Sequence, residues 1–362
     1  MKLNTPEQTA PVLVFDDTDG LSRSALAAVR GLRAAGYRPV VGQRPGQVSV
    51  AAASRDCTGT IDIQESTSEA YARARAARDW LAVFPQGDHT LRIMRYPGHD
   101  WIDKKVLAQR CLDAGVAPPG TRIFHSVAEM RAVAGELNYP LIAKPQFSIR
   151  ELEARAKRCD SPADLRVMPE TGQGYITQDF LEGEMQSVSG VMHAGNLLAA
   201  VHVRYLRIWP LDCGVSCASV TVAPDPAVEE HICRLLRGYE GIFQVQTMGG
   251  YPIDVNPRIY GSPALAIKAG VNLPAIVCEI ASGEEPRALV RAREGIYYRW
   301  LEGDVRQAWA RLRRREIGPG TALAQLWPRL ETAHGIESLR DPAPLLERVR
   351  YAWRKRMRRW SA

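Results

Sequence analysis

The sequence predicts a mixed α/β (α+β) protein with more than one domain, and three features lead there. The chain has 362 residues, 46% of them hydrophobic, which suffices for two or three buried cores at roughly 150 residues each. Near its start, Pro11-Val12-Leu13-Val14-Phe15, the turn Asp16-Asp17-Thr18-Asp19-Gly20 and the stretch from Leu21 to Ala35 read as strand, turn and helix. Farther along, β-rich runs paired around Gly195-Asn196 and around Gly249-Gly250-Tyr251-Pro252 read as hairpins.

In chain order, residues 1–95 form a leading α/β domain that includes Arg55-Asp56-Cys57 and a helix from Glu69 to Arg78. Its first turn is too acidic to welcome a pyrophosphate. A Pro97-Gly98 turn opens a second part, 96–286, and residues 287–362, rich in Arg and Trp, form a basic helical extension. There is no Gly-x-x-x-x-Gly-Lys-Ser/Thr and no Gly-x-Gly-x-x-Gly, so a P-loop and a dinucleotide fingerprint are excluded. No leader and no apolar run of membrane length is visible, which makes a cytoplasmic location the expectation and integral membrane association unexpected. Seven cysteines without a Cys-x-x-Cys pair suggest reduced thiols, and Cys213 and Cys217 stand too far from histidines to argue a zinc site.

Chemistry concentrates around Ile253-Asp254-Val255-Asn256-Pro257-Arg258, preceded by Phe243-Gln244-Val245-Gln246. Alternation along this hairpin points Gln246, Asp254 and Asn256 to one face. Hard oxygen donors suit Mg²⁺, which completes its octahedron with water and phosphate oxygens, and a nearby guanidinium meets phosphate as a fork. The hairpin reads as a floor for a metal nucleotide; a β-hairpin with surface polar residues is the plainer alternative.

Gln246, Asp254-x-Asn256-Pro257-Arg258 and Ala269-Gly270-Val271-Asn272-Leu273-Pro274 resemble the metal-binding end of the ATP-grasp superfamily, above all its carboxylate-amine ligases and the carbamoyl phosphate synthase large chain. The resemblance extends to Asp103-Lys104, to the turn from Gly115 to Pro119, and to the strand Tyr139-Pro140-Leu141-Ile142-Ala143-Lys144-Pro145. It implies an ATP-grasp fold behind a Rossmann-like pre-ATP-grasp domain, with ATP as substrate and Mg²⁺ or Mn²⁺ held by Gln246, Asp254 and Asn256. Lys104 and Lys144 are then phosphate ligands. Tyr175 to Glu184 is the hinge that holds adenine, with Gln178 and Asp179 at the exocyclic amine, Phe180 and Leu181 beside it and Glu184 on the ribose. Arg258 is the first catalytic candidate, with Arg204 and Arg207 as further ones, and Ser216 and Ser262 face the substrate.

Plainer readings stay open: solvated lysines at 104 and 144, core packing for Phe180 and Leu181, and outward positions for Arg204 and Arg207. The chain departs from the family's pattern twice. Asp254 stands where Glu is usual, and Gln146 to Arg155 contains no glycine where a Gly-rich loop would close over the phosphates through backbone N–H groups, so that either Ser148 and Arg150 cover them or the ATP chemistry is weakened.

The function implied is ATP-dependent joining of a small-molecule carboxylate to an amine through an acyl phosphate, with amino-acid-like substrates. The alternatives are a carboxylate kinase and a non-catalytic nucleotide-binding module. A homo-oligomer stays open. The formal charge of +7 and the arginines between Pro344 and Trp360 raise binding of nucleic acid or an anionic membrane face. With no nucleic-acid motif present, nucleic acid is not expected. Docking of the Leu345, Leu346, Val349 and Trp353 side on the body is the expectation.

Overall fold

A four-stranded, all-parallel sheet opens the chain, its first strand lying between the second and the fourth and its third beyond the second. The computed structural model describes residues 10–16, 21–65, 67–147, 155–211, 213–284 and 288–360, with side chains as far as Arg354. The first unit comprises β1 (Val12–Phe15), α1 (Arg23–Ala34), β2 (Pro39–Gln43), β3 (Gly59–Asp62), α2 (Ser68–Ala76), β4 (Ala82–Phe84) and α3 (Asp88–Ile93). All four residues of β1 are apolar and fully buried, as a parallel strand covered on both faces requires. Ser22 starts α1 by accepting the Ala25 N–H at 3.1 Å.

A 3-10 turn at His99–Ile102 leads into α4 (Lys104–Asp113). A four-stranded antiparallel sheet follows, in which the first strand pairs with the last, the last with the second and the second with the third. Its elements are β5 (Arg122–Phe124), α5 (Val127–Ala132), β6 (Leu141–Pro145), β7 (Lys157–Cys159), α6 (Pro162–Arg166) and β8 (Tyr175–Asp179). It has its own core, which includes Phe124, Val127, Met130, Leu141 and Tyr175.

The largest sheet takes β9 (Met185–His193), β10 (Asn196–Trp209), β11 (Val215–Thr221), α7 (Pro226–Leu235), β12 (Gly241–Met248), β13 (Tyr251–Asn256), α8 (Pro263–Lys268) and α9 (Leu273–Ala281). The chain ends with β14 (Val290–Arg291), β15 (Tyr297–Arg299), α10 (Leu301–Arg313), α11 (Pro319–Leu326), β16 (Thr332–His334) and α12 (Ala343–Trp360). Strand order is β13-β12-β9-β10-β11-β15-β16, with β14 beside β10. Residues beyond 286, expected as helices, thus also supply three strands to this sheet.

Both hairpins form, each around two residues of positive φ. Gly249 (φ 55°) and Gly250 (φ 85°) join β12 to β13, so Tyr251 and Pro252 already belong to the strand. In the other hairpin, Ala194 (φ 47°) and Gly195 (φ 78°) make the turn, and Asn196 pairs with His193. The turn lies one residue earlier than its Gly-Asn letters suggest. Glu240 accepts the Ala194 N–H at 2.8 Å and so supports the left-handed alanine.

One core spans the first unit and the large sheet, gathering Val12, Leu26 and Val29 with Val191, Val201 and Leu273. Asn272 stitches the same boundary: it caps α9 through the Ala275 N–H and donates to the Gly31 carbonyl at 2.8 Å. A Cβ on Gly31 would stand 2.7 Å from Ile267 Cδ1, so α1 approaches α8 this closely because residue 31 has no side chain.

Candidate active site

The β12–β13 hairpin at the edge of the large sheet forms the floor. Its register sets Gln246 opposite Asp254 and Gln244 opposite Asn256. Directly paired residues share a face, as do residues two apart on a strand, so all four side chains project to the same side. Asn256 donates Nδ2–H to Gln244 Oε1 at 3.3 Å, and Gln244 donates to the Tyr205 hydroxyl at 3.4 Å. Gln244 and Tyr205 were not singled out from sequence. Alternation back from Gln246 locates Gln244, whereas nothing near Tyr205 marks it.

Two lysines approach this floor from different elements. Asp103 caps α4 through the Lys105 and Val106 N–H groups, and the Lys104 N–H donates to the Gln146 carbonyl at 3.0 Å. Anchored in this way, Lys104 places Nζ 3.3 Å from Asp254 Oδ1. Burial works against its charge, but Asp254 and Asp88 outweigh that and raise its pKa. Lys144, 8% exposed, donates from Nζ to Gln178 Oε1 and to the Ile253 carbonyl, both at 2.7 Å. It therefore spans from the small sheet to the large one. Its partners there are neutral oxygens, so burial dominates and lowers its pKa to about 8, with Asp254 opposing and Lys104 adding to the fall.

Arg258 meets Asp88 from the first unit, with Nη2 to Oδ1 at 2.7 Å. Asp88 stands 170 residues away in the chain, and no local pattern marks it. Burial would raise its pKa; Arg258, with help from Lys104 and Arg92, lowers it. Asp88, Arg258, Lys104 and Asp254 thus form an electrostatically linked group of alternating sign drawn from three parts of the chain.

Gln178 is buried and faces Lys144, while Asp179, the next residue of β8, lines a separate small cavity with Gly120, Arg122 and Asn138. The N–H groups of Asp179 and Phe180 donate to the carbonyls of Pro119 and Pro140 at 2.9 and 3.0 Å. Phe180 and Leu181 are half-buried, and Arg158 lies 4.2 Å above the Phe180 ring. Glu184 pairs with Arg204 at 3.2 Å. Arg207 is held by Asp304, with Nε to Oδ1 at 2.6 Å, and by the Tyr297 hydroxyl. That guanidinium is engaged in anchoring α10 to the sheet and is not brought to the hairpin floor by any of these bonds. Ser216 is buried, its hydroxyl lacking a hydrogen-bond partner among the described residues. Ser262 is buried before α8 without capping it. Ser148 and Arg150 lie outside the described residues.

The donor set fits a hard cation. Among the described residues no cluster of three or more His, Cys, Asp or Glu gathers as a metal site. The floor instead offers one carboxylate, Asp254, beside the amide oxygens of Gln246 and Asn256. Mg²⁺ needs few protein ligands when phosphates and water supply the rest.

No protein-family model matches the chain. Solved structures do. L-amino acid ligase from Bacillus licheniformis is 13% identical with a TM-score of 0.55, the match covering 78% of each chain. Phosphoribosylamine–glycine ligase from Thermotoga maritima is 16% identical at 0.59, covering 80% of this chain and 78% of that one. N5-carboxyaminoimidazole synthetase from Staphylococcus aureus, complexed with ADP, is 12% identical at 0.60, covering 80% and 81%. By this likeness, and with the small antiparallel sheet meeting the large mixed sheet at Lys144, the chain has the ATP-grasp fold that its motifs resemble.

Proposed function

We propose that the protein is an ATP-dependent ligase that joins a carboxylate to an amine through an acyl phosphate, with amino-acid-like substrates. The observation that carries this reading is the meeting of Lys104 and Lys144 with the Asp254 hairpin. Two ammonium groups beside a hard-oxygen floor suit a triphosphate, and phosphoryl transfer requires mainly charge neutralisation and alignment. The fold relatives that are C–N ligases point the same way.

Asp254, Asn256 and Gln246 would hold Mg²⁺, which when bound neutralises phosphate charge. Lys144 would exchange its carbonyl and amide partners for phosphate oxygens. With the Asp179 and Phe180 amides already engaged, contacts to a purine edge would fall to the segment from Leu181 onward, and Glu184 would take the ribose in place of Arg204. A substrate carboxylate oxygen attacks the γ-phosphorus and ADP leaves. The amine nitrogen then attacks the acyl carbon, phosphate departs, and the nitrogen loses a proton to give the amide. Arg258 would steady the acyl phosphate after loosening from Asp88; Arg204 and the Ser216 hydroxyl are further candidates for the substrate end, as is Ser262.

The test is ADP release across a panel of amino-acid pairs, with mass detection of new amides. ADP that appears only with both partners, together with an amide, is the expected result. ADP without any need for amine would instead make the protein a carboxylate kinase, and silence across the panel together with retained nucleotide binding would leave a binding module.

A further inference from the structure

The last helix turns outward the side that was expected to dock. Leu345 packs against the shared core, yet Leu346, Val349 and Trp353 are 54, 58 and 66% exposed. Spaced at i, i+3 and i+7, these three form one stripe on α12. Leu301, Val305 and Trp309 form a similar exposed stripe on α10, which Glu302 ties to α12 through Arg348. Ten of the fourteen large hydrophobics exposed among the described residues lie between Leu301 and Trp353. A concentration of that kind marks an interaction surface.

Charge is concentrated on the same segment. Residues 301–362 hold fourteen Lys and Arg against seven Asp and Glu, whereas residues 1–300 hold thirty-three of each sign. The entire formal +7 therefore belongs to the C-terminal 62 residues. Exposed Arg350 and Arg354 follow Leu346 at successive helical turns and edge its stripe. The sequence adds Lys355, Arg356, Arg358 and Arg359 to the same helix.

We propose that α12 is a membrane-surface helix. Its Leu346, Val349 and Trp353 stripe enters the interfacial layer of a bilayer rich in anionic phospholipid, and the flanking arginines meet headgroup phosphates. Charge complementarity selects this occupant. A nucleic acid would use the arginines but offers no apolar layer for Leu and Val. A second copy paired about a two-fold axis would set the arginine margin against itself. Among the described residues no helix is long and apolar enough to cross a membrane, so the contact is with its surface.

The full-length protein is to be sedimented with phosphatidylcholine vesicles that contain or lack phosphatidylglycerol. Cosedimentation with the anionic vesicles at low salt is expected, weakening as salt rises and accompanied by a blue shift of tryptophan fluorescence. Arg354→Gln should weaken it about fivefold, the equivalent of the ~1 kcal/mol that one basic side chain contributes near such a surface. Replacing Leu346, Val349 and Trp353 together with Ser should abolish it while circular dichroism stays unchanged. The proposal is overturned if anionic vesicles do not bind at low salt or if the triple variant binds as the wild type does. It is equally overturned if the stripe proves to mediate a dimer that ignores vesicles, or if only DNA or RNA is bound.

Discussion

At Lys144 the physics of a single side chain makes a sharp expectation. Burial lowers its pKa from 10.5 to about 8, so between these values the unfolded chain retains the proton more readily than the folded one. Its contribution therefore makes stability rise with pH from about 8 to 10.5 and stay lower below that window. A triphosphate beside Nζ would restore the charge, so nucleotide binding above about pH 8 should take up a proton. Calorimetry in buffers of different ionisation enthalpy measures this directly, and Lys144→Met should remove it. Wild-type binding without uptake would take Lys144 away from the phosphates. On the facing hairpin, Asp254→Asn removes the single carboxylate of the floor and should lower metal-dependent ADP release by about 100-fold or more. Gln244→Leu, which unseats Asn256 without touching Asp254, should cost about 10–100-fold, as supporting residues of a metal site do. Equal activity of both variants with the wild type would dissolve the site. The oxygen-bearing floor was legible because residues two apart on a strand share a face; Asp88 was not, because nothing along the chain announces a partner 170 residues away.

Among the elements, the joint between α10 and the large sheet rests on one buried carboxylate. Asp304 is fully buried and paired with Arg207 and with Arg299. Asp304→Ala leaves two buried guanidinium groups without their anion, and breaking such a group from one side costs about 3–5 kcal/mol. Urea denaturation should show that loss, and a change below about 1 kcal/mol would mean the arginines find water or other partners. This network accounts for Arg207 better than substrate contact does: letters alone could not separate an arginine facing a ligand from one facing Asp304, since both lie on half-buried strands.

Across the whole molecule, cores predict how the protein opens. The first unit and the large sheet share one hydrophobic core, while the small sheet that carries Lys144 closes around its own. Hydrogen exchange should therefore find α1, α8 and α9 protected together and the β5–β8 sheet opening at lower free energy. ATP with Mg²⁺ should slow exchange in β6 and β8 more than in α1, because Lys144, which holds Gln178 of β8, reaches across to the large sheet at the Ile253 carbonyl. Uniform protection of all elements would mean the small sheet is no separate unit.

Taken alone, the order of apolar runs, turns and charged residues determined the α/β class, both hairpins, the β1–α1 opening and the composition of the hairpin floor. Those features depend on neighbours in the chain, through alternation, capping and turn chemistry. Tertiary structure decided which charges neutralise one another: Lys104 against Asp254, Arg258 against Asp88, Arg207 against Asp304. It also decided that β15 and β16 complete the large sheet and that the apolar stripe of α12 faces outward. Pairing and exposure are properties of distance in space, and a periodic pattern names the apolar side of a helix without saying what stands opposite it.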